Sequence, residues 1–113
     1  MMEEKQRIIQ EYVPGKQITL AHIIASPQIE LCEKLGIEKK EAIGIMTITP
    51  AEGAIIAADI ALKTSTVKIG FLDRFSGSLV IIGNISAVDE AIHRIMNTLV
   101  RVLNFSPCPI TKS

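Results

Sequence analysis

His22 and His93, Cys32 and Cys108, and a scatter of carboxylates are the side chains here whose types could do chemistry. A zinc or other transition-metal site needs three or four such ligands at short spacing. Neither histidine has a second histidine or a cysteine near it in sequence, so neither carries a metal signature. Each lies in an apolar stretch and reads as a hydrogen-bonded structural histidine. Cys32 falls on the apolar side of an expected helix and reads as a small core residue. Cys108 stands between Pro107 and Pro109, with no neighbouring base to turn its thiol into a nucleophile. Asp89-Glu90 are ordinary favourable charges for the first turn of a helix. Pro14-Gly15-Lys16 is too short and wrongly spaced for a phosphate loop. No nucleophile, acid–base pair or metal set can be assembled from these residues. The expectation is a protein that is not an enzyme, with no catalytic residue, no metal and no cofactor.

The elements that hold these residues are organised around AIGIMTITPAEGAIIAAD, residues 42–59. Residues 42–48 are apolar at almost every position, which predicts a strand covered on both faces. Thr49-Pro50-Ala51-Glu52 then has the spacing of a capping box, with proline at the first helical position. The helix to about residue 63 carries Ala51, Ala54, Ala57, Ala58 and Ala61, small enough for a neighbouring backbone to come close. Before this core, residues 7–13 (RIIQEYV) read as a strand stopped by Pro14-Gly15, which needs another edge to pair with. Residues 17–25 read as a second strand. Ser26-Pro27 repeats the cap-plus-proline start for a helix over 28–35, with Ile29, Cys32 and Leu35 on one side and Gly36 as C-cap. Residues 38–41 are a charged, solvated connector. After the core, residues 67–72 and 79–82 form a hairpin across 73–78. Ser86 to Asp89 start a long helix with Val88, Ile92, Ile95, Leu99 and Val102 on one face. Residues 104–113 read as an irregular tail. This order predicts an α+β layered sandwich.

At 113 residues the chain makes one domain. Its 12 basic and 12 acidic residues cancel, and three Phe with one Tyr are too few for a base-stacking surface, so nucleic acid is not an expected partner. No apolar run is long enough to span a bilayer, the charged opening MMEEKQR is no signal peptide, and no membrane partner is expected. Two distant cysteines fit a cytosolic protein with reduced thiols. Zero net charge together with high apolar content leaves nothing to repel a second copy, which favours self-association.

The segments AIGIMTIT, AADIALKTS, FSGSLV and GNISAVDEA stand, in order, where the bacterial microcompartment shell domain carries its own strand, helix, turn and second helix start. The chain resembles that family over roughly residue 7 to the end. The strand and helix that usually close the domain are matched by LAHIIASPQIELCEKLG, at residues 20–36, ahead of the core. That order resembles the circularly permuted class of ethanolamine-utilisation (EutS-like) and propanediol-utilisation (PduU-like) shells, with choline-utilisation relatives. The resemblance implies a ferredoxin-like layered sandwich, one permuted shell domain with an arm over residues 1–15 and a core over 16–113. It implies a homohexameric tile that packs with other shell proteins of the same compartment around encapsulated enzymes, in the cytoplasm.

It further implies roles for particular residues. Ile8, Ile9, Gln10, Glu11, Tyr12 and Val13 would join their copies in a β-barrel on the six-fold axis, which leaves no open edge. Asp73, Arg74, Phe75, Ser76, Gly77 and Ser78 match the loop around the central opening, and Lys63 matches a lysine at the tile edge. Ser26 stands where many tiles have an arginine that works with that lysine. Glu41 stands where ethanolamine-type members tend to have glycine, which favours a flatter tile. Asp73-Arg74 is either a gating charge pair or, the preferred reading, an ion pair within the loop or between subunits. Asp59 is expected to partner an arginine or a backbone group at a subunit seam. The competing reading of the whole chain is a small-molecule-binding α+β regulatory domain. Against it, Thr49-Pro50 replaces the glycine expected at a ligand-contacting strand–helix turn.

Overall fold

A computed structural model describes residues 15–38 and 40–113. Its elements are β1 (Gln17–Ile24), α1 (Ile29–Leu35), β2 (Ala42–Thr49), α2 (Glu52–Thr64), β3 (Lys68–Asp73), β4 (Ser78–Gly83), α3 (Ile85–Arg101) and β5 (Thr111–Lys112). They form one mixed sheet in the order β3-β4-β2-β1-β5. The β2–β1, β2–β4 and β3–β4 pairs are antiparallel, and β5 lies parallel to β1. The strand expected over residues 7–13 lies outside the described residues.

The core sits between the sheet and the pair α2 and α3. Met46 and Ile48 of β2 and Leu79 and Ile81 of β4 point into it, and Val88, Ile92, Ile95 and Leu99 of α3 meet them, all essentially without solvent exposure. The small residues of α2 do what their size allows: Gly53, Ala54, Ala57, Ala58 and Ala61 are buried. Among the described residues, the opposite face of β2 is covered only in part. Ala42, Ile43 and Gly44 are all buried, and from there burial alternates, so Ile45 and Thr47 remain partly exposed while Met46 and Ile48 are buried. The reason is that α1 is only seven residues long and shields one end of that face. Of the three α1 residues expected on its apolar side only Cys32 is buried, and Ile29 and Leu35 stay more than half exposed.

Helix starts differ from those read in the sequence. Thr49 stays in β2 opposite Gln17, and the residue before the helix is Ala51, with no side-chain cap. The helix instead begins at Glu52, with tight turn bonds from Gly53 N–H to the Pro50 carbonyl (2.8 Å) and Ala54 N–H to the Ala51 carbonyl (2.9 Å). Ser26 likewise gives way to Gln28 as the residue before α1. For α3 the cap is Asn84, two residues ahead of Ser86, and its side-chain oxygen accepts the Ala87 N–H at 2.8 Å. Replacing Asn84 with alanine should cost about 1 kcal/mol of stability in urea unfolding, and Ser86→Ala close to nothing. Gly36 closes α1 in the left-handed region (φ 70°), as expected.

The tail is largely irregular, as expected, but it is hydrogen-bonded along β1 and ends in a short strand. Ile18 N–H donates to the Ser106 carbonyl and Ser106 N–H to the Lys16 carbonyl, and the chain then runs on to β5 beside β1. Pro107 and Pro109 are compatible with this because they lie before the short edge strand, where no ladder bond needs their nitrogens.

Candidate functional site

The turn between β3 and β4 is built by its first residue. Asp73 Oδ1 accepts the N–H of Phe75 at 2.9 Å and that of Ser76 at 3.3 Å, while its own carbonyl accepts the Gly77 N–H at 2.9 Å. An aspartate closing the loop on its own backbone is the usual chemistry of such turns. Gly77, at φ +81°, then returns the chain and gives its carbonyl to the Ile48 N–H at 2.9 Å, tying the turn to the end of β2. Ser76 Oγ and Ser78 Oγ are 3.1 Å apart. The expected ion pair within the loop is not formed. The Asp73 carboxylate is occupied by backbone donors, and the Arg74 guanidinium lies over the Phe75 ring, 5.2 Å from its centroid. Arg74 and Phe75 are thus displayed together at the tip, Phe75 with 82% of its surface exposed.

The Phe75 N–H, and after it Ser76, hold the Asp73 carboxyl below the usual carboxylate range. A carboxyl depressed in the fold binds its proton more readily when unfolded, so stability rises with pH across that interval. Its contribution is complete above the ordinary aspartate value and is lost as pH falls through the folded value. Urea titrations between pH 2 and about pH 5 should therefore show a shallower pH dependence for Asp73→Ala than for the parent chain.

Lys63 and Ser26 are placed on separate elements. Lys63 lies in the last turn of α2, its ammonium 2.8 Å from Asp59 Oδ2, and both side chains are largely exposed. Within the chain, Asp59 therefore has a lysine of its own helix as partner. Ser26 is exposed in the bend after β1. Residues Ile8 to Val13 lie outside the described residues.

Two contacts escaped the sequence. His22 is bonded on both ring nitrogens, Nδ1 to Thr111 Oγ1 at 2.6 Å and Nε2 to Ser113 Oγ at 2.8 Å, which fastens the C-terminal strand to β1. Glu41, placed in a solvated connector, accepts the Glu38 N–H at 3.0 Å and pairs with Lys68 of β3 at 3.2 Å. The Glu38 N–H, ahead of Lys68, lowers its pKa. His93 is bonded through Nδ1 to the Asp89 carbonyl at 2.9 Å. Burial raises the Cys108 thiol, which makes it a poorer nucleophile. Among the described residues no group of three or more His, Cys, Asp or Glu is placed to hold a metal, and no helix is long and apolar enough to cross a membrane.

Beside the turn is an open depression of about 530 Å³, lined by Ile55, Phe71, Leu72, Asp73, Arg74 and Phe75. On the other face of the sheet a second, more apolar one of about 430 Å³ runs between α1 and the strands, past Leu31, Leu35, Ile45, Val80 and Phe71. Neither gathers the converging polar groups that fix a small ligand.

A family model described as the BMC domain matches residues 42–111. The chain belongs to the BMC-domain family. Over 110 residues it is 58% identical to the bacterial microcompartment shell protein EutS of Escherichia coli (strain K12), covering 97% of this chain and 99% of that one. It is 54% identical to the shell protein PduU of Salmonella typhimurium (strain LT2), covering 95% of this chain and 93% of the other. Among solved structures it is similar to a CutR flat hexamer (TM-score 0.83, 50% identity, 95% of this chain and 99% of that chain). It is also similar to a CutR screw (TM-score 0.84, 47% identity, 88% and 100%). A fused permuted hexameric shell protein shares the fold at 20% identity and a TM-score of 0.72, covering 80% of this chain and 48% of that one. The permuted order read from residues 20–36 thus has a counterpart of known fold. Members of the BMC-domain family similar to this chain are shell proteins, structural rather than catalytic.

Proposed function

We propose that this chain is a structural tile of a bacterial microcompartment shell: a cytoplasmic homohexamer that packs with other shell proteins around metabolic enzymes. The observation that carries the reading is the likeness of nearly the whole chain to a flat hexamer at 50% identity. The 73–78 turn would surround the central opening, where its self-contained hydrogen bonds leave only Arg74 and Phe75 to face the axis. Ile8 to Val13 would cap that opening with a barrel, as the arm (residues 1–15) of a single domain whose core is 16–113. Lys63 and Ser26 would lie at the tile edge. Lys63 would have to leave Asp59 to reach a neighbour, a small cost for an exposed pair on one helix. Encapsulated enzymes are further candidate partners, reached through whichever face is luminal. Glu41, held by the Glu38 N–H and Lys68, stiffens the entry to β2 and supports a flat tile.

Native mass spectrometry of the full chain, with negative-stain images, tests the reading. A six-subunit mass without added ligand, and sheets or tubes at high concentration, are expected. A monomer, or a dimer whose size changes with a small molecule, would replace it with the regulatory-domain reading. A continuous water-filled axial channel would remove the cap alone.

A further inference from the structure

The 73–78 turn stands at one end of the sheet, and the N-terminal arm leaves from that same end. Gln17, the first residue of β1, lies opposite Thr49, the last of β2. On the other side of β2, Thr47 lies opposite Ser78, and the Ile48 N–H reaches the Gly77 carbonyl. One strand therefore separates the root of the arm from the turn, a distance of two strand spacings or about 10 Å. The root itself is held. Lys16 gives its ammonium to the Leu103 carbonyl at 3.0 Å, just past the end of α3, and lies 5.9 Å from the centroid of the Phe105 ring. Its own carbonyl accepts the Ser106 N–H at 2.8 Å. Pro14-Gly15, immediately before this fixed point, is a pair that turns a chain. From Lys16 back to Glu11 an extended chain spans up to about 17 Å, more than the gap to the turn.

The tip of the turn offers a seat of particular chemistry. Asp73 is engaged by the N–H groups of Phe75 and Ser76, so it does not neutralise its neighbour. Among the described residues no carboxylate lies within ion-pair distance of Arg74. Its guanidinium rests on the Phe75 ring, and that ring is open to solvent. The arm carries the complement. Glu11 is the one acid between Ile8 and Val13, and in an extended chain it shares a side with Ile9 and Val13. An acid with an apolar neighbour on either hand matches a cation that lies on an aromatic ring.

We propose that residues 8–13 of the same chain dock on the Arg74–Phe75 tip, with Glu11 paired to Arg74 and the apolar neighbours of Glu11 against Phe75. The inference deepens the capped opening of the tile reading, and rests on it for the role of the arm; it adds what on the core holds the arm in place. The chain's own arm is the occupant because its root is pinned within reach of the tip and its one acid has the charge the tip lacks. A carboxylate that meets a guanidinium already laid flat on a ring gains a charge-assisted hydrogen bond at little further ordering cost.

The test follows backbone amide exchange of the full chain by mass spectrometry, with native mass spectrometry of the same samples. In the parent, residues 8–13 should exchange more slowly than a free peptide of that sequence. Glu11→Gln and Arg74→Gln should each speed their exchange about fivefold, the effect of losing one partly exposed ion pair. The double variant should be no faster than the faster single, because one contact can be lost only once. Phe75→Ala should speed the same residues. Unchanged exchange in β1 certifies that each variant is folded. A parent hexamer whose arm exchanges as fast as the free peptide would overturn the proposal and leave the tile reading standing. Protection that Arg74→Gln and Phe75→Ala leave untouched would also overturn it, and is the result expected if the arm is held only by its own copies. So would Glu11 and Arg74 effects that multiply in the double variant. A parent chain that forms no hexamer, yet protects its arm and responds to both single variants, would keep the seat and remove the tile reading instead.

Discussion

Gly77→Ala is expected to lower the unfolding free energy by about 3 kcal/mol, read from urea denaturation of the full chain. Three effects add. At φ +81° any residue with a Cβ pays about 1–2 kcal/mol of backbone strain. The new Cβ would run into the carbonyl oxygen of Ile48, a backbone atom inside a strand that cannot swing aside. Relieving that clash pulls the Gly77 carbonyl from the Ile48 N–H, a bond worth about 1 kcal/mol. Gly36 is the matched control. Its φ is also positive, but a Cβ there meets nothing within 4 Å, so Gly36→Ala should cost about 1 kcal/mol. Equal losses at the two sites would mean that the approach of the turn to β2 is not what holds it. The consequence extends to assembly, because the same turn sets the direction of Arg74 and Phe75 and borders Phe71.

How far the sequence revealed the fold depends on whether each signal was local. Strand and helix positions were legible because side-chain periodicity reports which face is buried, and Ala57, Ala58 and Ala61 announced a close helix contact by size alone. The 73–78 turn was legible from its Asp and Gly. The caps were misread for a physical reason. A hydroxyl followed by proline and an acid satisfies the capping pattern, but ladder pairing with Gln17 competes for Thr49 and wins. Asn84, the actual cap, was passed over because Ser86 offered the same chemistry two residues later. Contacts distant in sequence left no trace. Nothing near His22 points to Thr111 and Ser113, some ninety residues on. The Asp73–Arg74 pair shows the opposite tendency: adjacent opposite charges suggest each other, yet within the loop backbone donors reach the carboxylate first. The half-open face of β2 is the most instructive miss. Its apolar run was read as evidence of cover on both faces, whereas among the described residues Ile45 and Thr47 are only partly covered.

Leu99→Ala should remove about 3–4 kcal/mol of stability, while Val102→Ala, three residues along the same expected stripe, should change it by less than about 0.5 kcal/mol. Both were read as one face of α3 from their spacing. The structure separates them. Leu99 has no solvent exposure, and its carbonyl accepts the N–H of the buried Phe105 at 2.9 Å. Val102 is the residue after the last helical one and is 69% exposed. Truncating Leu99 leaves a void among Ile95, Ile92 and the sheet, and the lost transfer energy and the cavity add, because a close-packed interior collapses only partly. At Val102 the removed methyls were already in water. Urea unfolding of the two variants under conditions where both remain assembled, and again where neither does, separates core packing from contacts between copies. A Val102→Ala loss that appears only in the assembled state would place the end of α3 at a subunit contact. A comparable loss in the unassembled state would mean that the last turn of α3 packs against the core after all.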